Sequence, residues 1–131
     1  MASKNTVILS SLSHGSIFLG IFYFSFLIPL LILFLSENTI VKANAKEALN
    51  YLINLYILYV FNTILLILVV FSSWEYTLII AILSIIGLIL LIVLSPILVM
   101  RTFILPIIAI KSVIRHPEQP YRYSKIYRLI R

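Results

Sequence analysis

Three stretches, residues 7–36, 48–71 and 77–114, carry only two charged side chains between them, Arg101 and Lys111. That contrast fixes the solvent before any motif is considered. With 63% hydrophobic residues and a mean hydropathy of +1.17, a soluble domain of 131 residues is excluded. A domain of this size buries only about two thirds of the surface its unfolded chain exposes. The remaining apolar side chains need lipid. The first stretch is also longer than the apolar region of a cleavable signal peptide, about 7–15 residues, and reads as a retained span.

These stretches predict an all-α integral membrane bundle in one domain, with three transmembrane helices over about 8–36, 48–71 and 77–96. The third continues over 97–114 through a proline kink at Pro96, and a basic interfacial tail, 115–131, closes the chain. A fourth crossing has too few residues after Arg101, since about 20 are needed to span the hydrocarbon. Glu37 to Glu47 reads as an exposed, polar loop, and Ser72-Ser73-Trp74-Glu75-Tyr76 as a short turn with aromatics at the interface. Six of the ten Lys and Arg lie at Lys111 or later. In the three-span arrangement they join Lys42 and Lys46 on one side, against Lys4 alone opposite. The positive-inside rule then puts the N-terminus outside and the C-terminus in the cytoplasm, in a bacterial inner membrane or, alternatively, an organellar one.

No catalytic constellation emerges. The acids are only Glu37, Glu47, Glu75 and Glu118, the two histidines stand apart, and the three glycines form no phosphate loop. The reading is non-enzymatic, with no cofactor and no metal. Cysteine is absent, which removes disulfides and thiol chemistry. Intramembrane polar residues carry what functional signal remains. His14 falls near the outer end of the first span, as a proton relay or as a hydrogen-bonded packing residue. Asn50 and Asn54 share a face of the second span, Asn62 lies further round, and together they suit interhelical hydrogen bonds. Arg101 either snorkels to the headgroups or pairs inside, with Glu47 as the candidate. In the tail, Lys111, Arg115, Arg122, Lys125, Arg128 and Arg131 alternate with tyrosines and aliphatics. Such a pattern anchors a chain end to anionic lipid headgroups, or docks a protein, better than it binds nucleic acid.

Leu12-Ser13-His14, Ile28-Pro29-Leu30, Lys46-Glu47-Ala48-Leu49-Asn50-Tyr51, Pro106 to Lys111 and Tyr121-Arg122-Tyr123 together resemble the small bacterial Tic20-like membrane family. The chain departs from that family's pattern at Asn44 and Ser124. The resemblance implies three spans, no established activity, and a distant relation to the core component of the plastid inner-envelope import translocon.

Two functions follow as expectations. One is an accessory or assembly subunit of a larger membrane complex, translocon-like in theme, packed on other integral membrane subunits or on copies of itself. The other is a small transporter or channel whose polar path is lined by His14, Asn50, Asn54, Asn62 and Arg101. Glu47, Asn50, Asn54, Arg101, Tyr121, Arg122 and Tyr123 form the candidate interaction surface, because the second span begins and the third ends on the same side.

Overall fold

A computed structural model describes residues 3–19, 22–72 and 77–130. Among them are four α-helices, α1 (Lys4–Gly15), α2 (Phe22–Leu35), α3 (Thr39–Ser72) and α4 (Leu78–Arg115), with a 3-10 turn at Ser16–Leu19 and no strand. Residues 73–76, which hold the expected aromatic turn, lie outside the described residues.

The stretch expected as one first span is two short helices. α1 has 12 residues and α2 has 14, so they extend about 18 and 21 Å at 1.5 Å per residue. Neither spans about 30 Å of hydrocarbon. α1 gives way to the 3-10 turn at Ser16, where two serine hydroxyls bond the backbone. Ser13 Oγ donates to the Leu9 carbonyl at 2.9 Å, and Ser16 Oγ takes the Ser13 carbonyl at 2.9 Å, competing with backbone donors. Pro29 sits inside α2. The chain then doubles back. Asn38 Nδ2 donates to Thr6 Oγ1 at 3.1 Å, so the end of α2 returns to the start of α1. Leu9 and Ile28 accordingly pack on Ile32, Val41 and Ala45.

α3 starts nine residues earlier than the expected Ala48. Asn38 caps it, its Oδ1 accepting from Ile40 N at 2.9 Å and Val41 N at 3.2 Å. No Gly or Pro follows to stop the Ala- and Lys-containing run before Glu47. Residues 39–47, expected as a loop, are therefore the first turns of a 34-residue helix. α4 runs 38 residues without interruption, with Pro96 and Pro106 inside it. The two long helices extend about 51 and 57 Å.

They pack antiparallel, with the short hairpin covering only one end. There, Tyr51, Leu55, Leu98, Ala109 and Tyr123 form a core. Beyond it α3 and α4 stand as a bare pair, with Ile57, Leu68 and Phe71 on one and Leu78, Ile79, Leu83 and Ile92 on the other at least half exposed. Helices apolar on all sides and covered by no protein are covered by lipid. Within that pair Gly87 allows close approach, since a Cβ there would lie 2.7 Å from Val69 Cγ2. Gly87→Ala is expected to cost about 1–3 kcal/mol through overpacking. Gly15→Ala meets Ile110 at an ordinary 3.6 Å and is expected to be tolerated. Thermal unfolding of both variants in detergent checks the contrast.

α1 and the tail lie together. His14 of α1 touches Tyr123 of the tail, so the first helix and the tail share one end of the molecule. The expected three-span arrangement placed His14 and the tail at opposite ends. The hairpin of α1 and α2 brings them together, because it returns the chain to the start of α1 before α3 begins.

Candidate functional site

The polar centre of the molecule is a face of α3 gripping the tail. At about 100° per residue, Asn44, Glu47, Asn50, Tyr51 and Asn54 fall within an arc of about 120°. Four of these side chains hold tail backbone. Asn44 Oδ1 accepts from Tyr121 N at 2.9 Å, and Glu47 Oε1 from Tyr123 N at 2.8 Å. Two asparagine amides then clamp backbone in both directions. Asn54 accepts from Tyr127 N at 3.0 Å and donates to its carbonyl at 2.7 Å; Asn50 does the same with Ile130, at 2.8 and 2.9 Å. The tail thus runs along α3 from Asn44 to Glu47 and returns from Asn54 to Asn50. It reverses near Lys125, whose φ of 56° lies in the left-handed region.

Asn44, fully buried, ties this clasp to α1. Its Nδ2 donates to Ser10 Oγ at 3.2 Å and the Ile40 carbonyl at 3.1 Å. Its Oδ1 lies 3.1 Å from His14 Nε2, which must therefore carry the proton, leaving His14 Nδ1 to accept from the Tyr123 hydroxyl at 3.1 Å. Tyr121 and Tyr123 meet the His14 ring edge-on, and Tyr51 stacks on Tyr123 at a centroid distance of 3.9 Å. Tyr51 also donates its hydroxyl to the Arg101 carbonyl, five residues before Pro106. Arg128 closes the clasp by a two-atom contact with Glu47 at 2.9 and 3.1 Å and a bond to the Tyr123 carbonyl.

Burial, then the nearby Tyr51, Tyr121 and Glu47, push the Tyr123 hydroxyl above its ordinary range; burial and Glu47 raise Tyr121. Tyrosine titrates near 10 when unfolded. A raised folded value means the clasp keeps this contribution below about pH 10 and loses it as pH rises further. Ultraviolet titration is expected to show late-ionising tyrosines among the eight, one of them removed by Tyr123→Phe.

A family model for magnetosome magnetite crystal formation proteins, MamF/MmsF, matches residues 2–130. The chain belongs to that family. No curated protein and no solved structure matches it. With two long apolar helices bare of protein cover, this family member is a membrane protein.

The match overturns the Tic20-like resemblance, which leaves the translocon theme without support. The motifs that suggested it, Lys46 to Tyr51 and Tyr121-Arg122-Tyr123, are the two halves of the clasp. They specify how a tail packs on a helix, which does not by itself identify a task.

Of the residues expected to matter, Glu47, Asn50, Asn54, Tyr121 and Tyr123 come together, but around the chain's own tail. Asn50 and Asn54 bond tail backbone rather than a neighbouring helix. Glu47 takes Arg128, so Arg101 is not its partner. Arg122 stands on the rim of the cleft beside Lys46 and Arg128. His14 belongs to the clasp, because α1 and the tail meet at one end of the molecule. Asn62 stays apart and accepts from Ser95 Oγ at 3.5 Å. Of the side chains expected to line a transport path, His14, Asn50 and Asn54 thus lie in the clasp and Asn62 lies apart from them. Asn44, Tyr51 and Arg128 were not among the expected site residues, although the spacing of 44, 47, 51 and 54 marks one helical face. Among the described residues no three His, Asp or Glu gather as a metal site.

Proposed function

We propose that this chain is a non-enzymatic accessory subunit of the membrane in which magnetite crystals form, acting through other membrane proteins or copies of itself. The family match over residues 2–130 carries this reading. The geometry is consistent with it, since the polar cluster is spent on holding the tail. Four carboxylates in the sequence and a net charge of +6 also make the chain a poor template for an iron oxide surface, whose cations prefer carboxylate oxygen.

In the same reading the bare halves of α3 and α4 cross the bilayer, and α1 and α2 form a re-entrant hairpin beside them. Lys4, Lys42, Lys46, Lys111, Arg115, Arg122, Lys125 and Arg128 then share one side, while no Lys or Arg occurs between Lys46 and Arg101. The positive-inside rule puts that side in the cytoplasm, with both chain ends.

Removing the chain from a magnetite-forming cell and measuring crystals by electron microscopy tests the role. Altered crystal size or number, restored by the intact chain, is expected. Unchanged crystals contradict it.

A further inference from the structure

Between α3 and the tail lies a cleft of about 190 Å³, lined by Lys46, Glu47, Asn50, Tyr121, Arg122 and Arg128 among others. Three cations and one carboxylate line it. That carboxylate is engaged by Arg128 and by the Tyr123 amide, so its charge is largely met from within. Arg122 is exposed and forms no hydrogen bond or ion pair among the described residues. Its planar fork of donors is suited to a phosphate.

We propose that this cleft binds the phosphate of an anionic phospholipid. The flanking surface favours a lipid over a free ion. Tyr127 and Leu129, on either side of Arg128 in sequence, are 82% and 65% exposed. An aromatic and an aliphatic side chain facing outward beside a cationic cleft match the boundary between headgroups and acyl chains. This site stands independently of the crystal-formation role, because it needs only the clasp and a membrane beside it.

The test is native mass spectrometry of the full chain in non-ionic detergent containing phosphatidylglycerol or phosphatidylcholine. Preferential retention of phosphatidylglycerol is expected. Arg122→Gln and Lys46→Gln should each weaken it about fivefold, the effect of about 1 kcal/mol per cation. Lys4→Gln, which removes an equal charge outside the cleft, should leave it unchanged, and circular dichroism should show all three variants folded. Added inorganic phosphate distinguishes the sources. If it fails to displace the lipid, the acyl and glycerol portions contribute, as proposed. If it binds equally well without lipid, the cleft is a free-phosphate site and the lipid assignment is overturned. Equal losses in Arg122→Gln and Lys4→Gln, or no preference between the lipids, overturn the cleft itself.

Discussion

Asn44→Ala is expected to destabilise the clasped end of the protein by about 4 kcal/mol, because three groups lose their partner at once. The Tyr121 amide, the His14 Nε2–H and the Ser10 hydroxyl all turn to this one carboxamide. A buried donor or acceptor left unmet costs about 1–3 kcal/mol, more than the bond itself contributes. Asn44, Ser10 and His14 are all buried, so water cannot replace the carboxamide at their end of the site without opening it. Asn62→Ala is the matched control. Its single contact with Ser95, at 3.5 Å, is worth about 0.6 kcal/mol at the average for such bonds in membranes. Denaturation followed by circular dichroism should separate the two variants widely; equal losses would show that Asn44 is not the joint between α1, α3 and the tail.

Glu47→Ala is expected to free the tail while the helices stay folded. It leaves the Tyr123 amide without an acceptor, which costs about 1–3 kcal/mol. Arg128, which faces solvent, adds little when it loses its partner. The consequence is kinetic access. Each 1.4 kcal/mol raises the open population tenfold, so trypsin should cut after Arg122 and Lys125 about ten to a hundred times faster. Glu47→Gln retains an acceptor for the amide and should fall between. Unchanged cleavage in Glu47→Ala would mean that the asparagine clamps at Asn50 and Asn54 hold the tail alone.

The all-α class and the membrane were legible because composition decides them. The candidate face of α3 was also legible, since Glu47, Asn50 and Asn54 recur at helical spacing, and so was its meeting with Tyr121 and Tyr123. The first stretch was not. Hydropathy treats Val7 to Ser36 as continuous, whereas the break is a change of backbone hydrogen bonding at Ser16 to Leu19 that leaves the apolar pattern untouched. The missing turn also changed where His14 falls, from the end away from the tail to the end that holds it. Asn44 was hidden for a related reason. Asparagine beside charged residues reads as loop, and only the cap at Asn38 converts residues 39–47 into helix. Arg128 was one cation of six in the tail, and nothing local distinguishes the one that finds Glu47.

In the proposed topology α1 and the tail share one side of the membrane, opposite the junction of α3 and α4. Because the chain has no cysteine, single substitutions at Ser3, Thr77 and Ser124 report position without background. An impermeant thiol reagent applied to one face of sealed vesicles should label positions 3 and 124 together, and position 77 only from the other face. Labelling of positions 3 and 124 from opposite faces would contradict the hairpin and the clasp built on it.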